Sequence, residues 1–330
     1  MTRLLAAAAA AGLAAAQTSH AIAGQRQCQP LGDGARCRGV NPDTSMVDPT
    51  IKLLLMSSPK AGATLVQRLM LARLNLTGAA VRYKGHYPVW YSHNVFMRAK
   101  GRLPTPGHLA SCAPGTEWLC VDVVRNPLDR AISSYIFTMR HWGFIASHFQ
   151  ELDGNADASF AEFAAALARR ARNKTSHSYA DGHYMPQCVP TTRAGALRPD
   201  ILYVPVEMLT EPDGYACPML DRVRGTGLAA AEAAARGGIS GHYVKKAASS
   251  PPGSEHWSWT KVKKTHPKPA YDSFWSTTAF CRNVVGCLYR ADVEAYVSAC
   301  RAPALETCAA FRSACEVQLG RLRDVCGLDV

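Results

Sequence analysis

Twice in this chain a short apolar run breaks at a polar loop and gives way to helical spacing. Ile51 to Met56 is followed by Ser57-Ser58-Pro59-Lys60-Ala61-Gly62-Ala63-Thr64, and the apolar residues from Leu65 to Leu74 then recur at helical intervals. Trp118 to Val124 is followed by Arg125-Asn126-Pro127, with a helical pattern from Leu128 to about Met139. Strands this uniformly apolar are covered on both faces, as in parallel sheets. Strand, loop and helix in series therefore predict an α/β fold: a central, mainly parallel sheet flanked by helices in three layers. Ligands of such sheets sit at the C-terminal ends of the strands.

Both loops carry groups suited to an anion. In the first, Gly62 permits close approach, and the helix that follows presents unpaired N–H groups and the positive end of its dipole. Lys60 adds a mobile cation and Thr64 a hydroxyl, so a phosphate or sulfate group is the natural guest. The Walker A pattern is absent, which argues against an ATPase, a GTPase or a nucleotide kinase. In the second, Pro127 suits the first helical turn and Asn126 the N-cap. Arg125 stands at a strand end and Ser133 two turns into the helix; a guanidinium fork and a hydroxyl can donate to the same phosphate oxygens. Arg130 is turned away from Arg125 and is expected to make a structural ion pair.

The remaining chain reads in order as follows. Residues 1–23 join Arg3 to an Ala/Leu run and small-residue cleavage sites, the layout of a secretory signal peptide or short signal anchor. Residues 24–50 read as an irregular, Cys-containing lead-in. Ala79 to Tyr83 is a weaker strand candidate, and Pro104 to Gly115 a loop. Ser159 to Arg172 is helical, Tyr179 to Arg198 irregular, and Ile201 to Val206 a strand whose Pro205 places it near an edge. Residues 225–253 form a surface loop; Asn283 to Ala299 and Leu305 to Val325 are closing helices. The division is a catalytic or binding domain over 51–300 and a Cys-rich helical tail over 301–330 packed on it.

With 37 Lys+Arg against 25 Asp+Glu the chain carries +12, which points to an anionic partner. No block of like charge and no zinc-finger or RNA-binding signature accompanies the excess, so nucleic acid is disfavoured. Twelve cysteines without a CxxC or a Cys/His metal spacing indicate disulfides, and no metal is expected. Cys28 with Cys37, Cys112 with Cys120, and Cys281 with Cys287 are close enough to pair locally. Asn75-Leu76-Thr77 and Asn173-Lys174-Thr175 are glycosylation sequons in a lumenal protein.

Pro59-Lys60-Ala61-Gly62-Ala63-Thr64 and Arg125-Asn126-Pro127-Leu128-Asp129-Arg130-Ala131-Ile132-Ser133-Ser134-Tyr135 together resemble the two hallmarks of sulfotransferases that use 3′-phosphoadenosine 5′-phosphosulfate. Within that group the chain is most similar to the Golgi carbohydrate sulfotransferases, in the uronyl 2-O branch and the branch acting on N-acetylgalactosamine and glucuronate-capped glycans. The resemblance spans about residues 51–298. It takes in Lys84-Gly85-His86, the segment from His183 to Cys188, Lys263-Lys264-Thr265 and the run from Leu288 to Tyr296. Leu65-Val66 stand where the branch often has an aromatic residue.

The resemblance implies a P-loop-like three-layer sandwich and in-line sulfuryl transfer to a hydroxyl of a carbohydrate acceptor, in the Golgi lumen or after secretion. It implies that Ser58, Pro59, Lys60, Ala61, Gly62, Ala63 and Thr64 hold the 5′-phosphosulfate. Arg125 and Ser133 would hold the 3′-phosphate, and Lys263 and Lys264 would close over the nucleotide. Lys60 would stabilise charge on the leaving phosphate, and His86 is the first candidate for the base, with His183 and then Glu207 as alternatives. Two other readings remain open: a tyrosylprotein sulfotransferase, and a secreted, non-catalytic binder of anionic glycans on the same fold.

Overall fold

The computed structural model describes residues 44–83, 91–99, 102–140, 158–173, 186–187, 189–190, 197–206, 208, 280–302 and 308–330. Their architecture is α/β. A four-stranded, mostly parallel sheet has the order β1 (Met46–Asp48), β2 (Leu53–Ser57), β3 (Leu119–Val124), β4 (Leu202–Pro205). β2 and β3 are parallel, with Leu55 opposite Val121, and β3 and β4 are parallel, with Val123 opposite Val204. Both central strands are buried along their whole length, which is why their sequences are mainly apolar rather than alternating, with Asp122 of β3 and Ser57 at the end of β2 as the buried polar exceptions. Each of Leu53, Leu54, Leu55 and Met56 is essentially inaccessible, and burying a side chain of that size is worth about 1.5–3 kcal/mol.

The helices are α1 (Ala63–Arg73), α2 (Thr77–Arg82), α3 (Pro106–Ala110), α4 (Pro127–Arg140), α5 (Phe160–Asn173), α6 (Arg290–Cys300) and α7 (Ala309–Cys326). Two π-helical segments, Ser92–Phe96 and Cys281–Leu288, complete the described elements. α1 follows β2 and α4 follows β3, as the two strand-loop-helix series predict. α5 begins at a reciprocal cap: the Glu162 amide donates to Ser159 Oγ at 3.2 Å, and the Ser159 amide donates back to Glu162 Oε2 at 2.6 Å.

Four sequence-based expectations are corrected, the first being the stretch from Pro104 to Gly115, read as a loop, in which Pro106–Ala110 form α3 behind the Thr105 cap. Ala79 to Tyr83 is not a strand but lies mostly in α2, because Asn75 turns the chain at φ +56 and the Ala80 amide then bonds back to Leu76 O at 2.9 Å. Two alanines favour a helix over a strand there, and β2 already has β1 and β3 as neighbours. Met46–Asp48, inside the stretch read as irregular, pair antiparallel with β2, with Met46 opposite Leu55. Three residues ending at Pro49 are too few to show alternation; Asp48 closes their turn by accepting from the Thr50 amide at 3.1 Å. Cys281 pairs with Cys326 rather than Cys287.

Cys112–Cys120 does form the local loop that its spacing suggests. Cys300–Cys315 and Cys281–Cys326 staple α7 to α6 and to the π-helical segment before it, and Cys308 is disulfide-bonded as well. α7 stops at Gly327, whose φ of +60 suits the left-handed residue past a helix end. No helix among the described residues is long and apolar enough to cross a membrane. The segment 1–23 and the pair Cys28 and Cys37 lie outside the described residues.

Candidate anion-binding site

The loop after β2 is a turn whose Ser58, Pro59 and Lys60 carbonyls are held by hydrogen bonds. The Ala61 amide donates to Ser58 O at 2.9 Å, with Pro59 and Lys60 between them. Proline presets the second position of such a turn, and the third needs positive φ, which Lys60 supplies at +65. A lysine in that region costs about 1–2 kcal/mol relative to ordinary backbone, a strain typical of functional loops. Gly62 then takes φ +106 as the N-cap of α1, with no side-chain cap and no acidic residue in the first turn. The dipole end and N-terminal N–H groups of an eleven-residue helix are thereby presented at the C-terminal edge of β2. Any Cβ at Gly62 would stand 3.0 Å from Val206 Cγ2 and 3.1 Å from Val123 Cγ1, so the loop backbone lies directly on the ends of β3 and β4.

The second loop grips the first. Arg125 Nη1 donates to Lys60 O at 2.9 Å, and Arg130 Nε donates to Pro59 O at 3.2 Å. Two arginines five residues apart on one motif therefore hold successive carbonyls of the other. Asn126 caps α4 as predicted, accepting from the Leu128 amide at 2.9 Å, and its Nδ2 donates to Gln318 Oε1 of α7 at 2.9 Å. Arg130 is wholly buried and faces Asp292 at 3.6 Å, the structural ion pair expected of it, with Tyr289 beneath its guanidinium. Tyr135, which ends the motif, donates to Ala158 O at 2.7 Å and packs on Phe160 and Phe163, so it anchors α5.

Of the residues singled out from the sequence, Ser58, Pro59, Lys60, Ala61, Gly62, Ala63, Thr64 and Arg125 come together at the ends of β2 and β3. Ser58 is buried, Thr64 and Arg125 half-buried. Ser133 is half-buried on α4, two turns past its start. Phe137, one turn further along α4, receives the Lys60 ammonium on its ring face, 3.7 Å from the centroid. His86, His183, Glu207, Lys263 and Lys264 lie outside the described residues.

Two residues of the site escaped sequence reasoning as functional groups. Gln187 sits inside the segment from His183 to Cys188, and Asp292 is the buried one of the two acids in α6; Gln187 is buried as well. The Gln187 amide N–H donates to both Asp292 carboxylate oxygens, at 2.8 and 3.0 Å. Burial pushes the Asp292 carboxyl up to about 6, while Arg130 and the Gln187 hydrogen bonds pull the other way. Asp122 of β3 is raised well above the ordinary carboxylate range, first by burial and then by the charge of Asp292. Its Oδ2 has no hydrogen-bond partner among the described residues. Among the described residues no group of three or more His, Cys, Asp and Glu side chains is placed to hold a metal ion.

Comparison of the chain with protein-family models, with curated proteins and with solved structures finds no match.

Proposed function

We propose that this chain is a lumenal or secreted sulfotransferase that moves a sulfuryl group from 3′-phosphoadenosine 5′-phosphosulfate to a carbohydrate hydroxyl, on a P-loop-like three-layer sandwich. One observation carries the reading most: Arg125 and Arg130 donate to the Lys60 and Pro59 carbonyls. With the Pro59 and Lys60 carbonyls tied down, the first-turn amides and the dipole of α1 are what this end of the sheet offers an anion. The arginine motif that ties them is the one the resemblance assigns to the 3′-phosphate. The disulfides and the sequence of residues 1–23 favour an oxidising compartment.

In this reading the acceptor oxygen attacks sulfur in line as the bond from sulfur to the bridging phosphate oxygen breaks. The hydroxyl proton passes to a base, and 3′-phosphoadenosine 5′-phosphate leaves. Lys60 moves from the Phe137 face to the bridging oxygen, where the charge develops, and the Gly62 to Leu65 amides share that charge. Arg125 and Ser133 fix the nucleotide without touching sulfur, which holds donor and acceptor in register. His86, His183 and Glu207 are the candidates for the base, whose help is typically worth about 10²- to 10⁴-fold.

Lys60→Ala and Arg125→Ala, each checked for an intact fold by circular dichroism, test the assignment against pooled glycan and acidic peptide acceptors. Transfer to glycan lost in both variants is the expected result. Near-normal transfer in both would sink the proposal, and transfer to peptide alone would move the acceptor to tyrosine.

A further inference from the structure

Gln187 joins two parts of the site that are far apart in sequence. Its side-chain amide is paired with the main chain of Arg125: the Arg125 amide donates to Gln187 Oε1 at 3.0 Å, and Gln187 Nε2 donates to Arg125 O at 3.0 Å. Arg125 is the first residue past β3, where the pairing with β4 has ended at Val124 and Pro205. The amide therefore does for one more residue what a neighbouring strand would do. Gln187 is itself fixed by Asp292, through the two hydrogen bonds to its main-chain N–H. The same carboxylate faces Arg130 at 3.6 Å. One buried side chain on α6 is thus connected to both arginines that hold the Pro59 and Lys60 carbonyls.

Stability alone does not account for this arrangement. A buried ion pair is often replaceable by apolar residues at no loss, because desolvation offsets the attraction. Asp292 is moreover near a second buried acid, Asp122, whose charge opposes its own. What the carboxylate does supply is direction: two acceptors for one N–H, and through it a fixed main chain at Arg125.

We propose that Asp292 and Gln187 are positioning residues of the anion site. Asp292 fixes Gln187, and Gln187 fixes Arg125, which in turn sets the Lys60 carbonyl and the lysine's place over the bound anion. The inference rests on the phosphosulfate reading of the loop, and its test separates the two.

Gln187→Met keeps the side-chain length and leaves the Asp292 and Arg130 pair in place, while removing both side-chain bonds to Arg125. The measurement is calorimetric titration of 3′-phosphoadenosine 5′-phosphate into wild type, Gln187→Met, Arg125→Ala and the double variant. Loss of two hydrogen bonds that position a charged group is expected to weaken binding by about tenfold. In the Arg125→Ala background the same substitution should cost nothing more, since its effect passes through Arg125. Donor KM should rise in Gln187→Met and kcat should fall with it, because the same chain of contacts sets where Lys60 stands. Asp292→Asn, which leaves Arg130 facing a neutral amide, is expected to weaken binding more than Gln187→Met, and part of its loss should persist in the Arg125→Ala background because Arg130 still holds the Pro59 carbonyl. Wild-type affinity in Gln187→Met, or an equal loss with and without Arg125, overturns the inference while leaving the site's reading intact. A wild-type protein that does not bind the nucleotide overturns both.

Discussion

Gly62→Ala isolates how closely the first loop lies on the sheet. Two costs add. The φ of +106 is one an L side chain rarely adopts, at about 1–2 kcal/mol. The new Cβ would stand 3.0 Å from Val206 Cγ2 and 3.1 Å from Val123 Cγ1. Both neighbours are β-branched and stiff at χ1, and Val123 is in the middle of the core, so overpacking adds about 1–3 kcal/mol. The sum, about 2–5 kcal/mol, is a large part of the ~5–15 kcal/mol by which domains are stable. Gly115 is the internal control: it has φ +82 but nothing within 4 Å of its would-be Cβ, so Gly115→Ala should cost only the backbone term of about 1–2 kcal/mol. Urea unfolding of the two variants and wild type, with equal m values, gives the comparison directly. If Gly62→Ala is no less stable than Gly115→Ala, the loop is not seated on β3 and β4 as described, and the placement of the α1 N-terminus falls with it.

Other consequences concern the buried acids and the disulfides. Asp292 is raised from 3.8 to about 6, so the native state holds more protons than the unfolded state between those values. Its contribution to stability is therefore greatest below about pH 4 and declines as pH rises to about 6, by about 3 kcal/mol. Asp122, raised in the same direction, adds to that decline, and the groups facing Asp292 are Arg130, Asp122 and the Gln187 amide. Asp122→Asn should accordingly stabilise the protein at pH 7 and flatten the change between pH 4.5 and 7 in urea unfolding; an unaltered slope would contradict the assignment. Cys281 and Cys326 close a loop with a sequence separation of 45, and replacing both by Ala should cost at most about 4 kcal/mol by the loop-entropy relation. No loss of thermal stability in that variant would show that Cys300–Cys315 and packing hold α7 without it.

The parts of this fold that were readable from sequence are those whose cause is local. β2 and β3 are covered on both faces, so their mainly apolar runs stand out, and Pro127 with Asn126 marks the start of α4 through chemistry within three residues. The candidate anion loop is likewise local, with Lys60 and Gly62 in series before a helix, although the positive φ of Lys60 came only with the structure. Its strand β1 was not readable, because three residues have no period and their burial comes from pairing with β2. The ion pair of Arg130 was expected from its place on the helix, but neither its partner Asp292 nor its bond to the Pro59 carbonyl, beside the one Arg125 holds, was. Gln187 reaches Arg125 across 62 positions and Asp292 reaches Gln187 across 105. A buried amide or acid has no pattern of its own in sequence; its purpose is set by what the folded chain brings opposite it.

The central claim is that the Lys60 loop and the Arg125 motif form one site for a phosphorylated adenosine nucleotide. Calorimetric titration of the wild-type chain with 3′-phosphoadenosine 5′-phosphate, alongside ATP and Arg125→Ala, tests it most directly. The account predicts saturable one-to-one binding, weaker binding of ATP, and a loss of at least tenfold on removing the Arg125 fork, as expected for a charge-assisted contact of about 1.5–3 kcal/mol. A folded wild-type protein that takes up no nucleotide, or that binds equally well without Arg125, would contradict it.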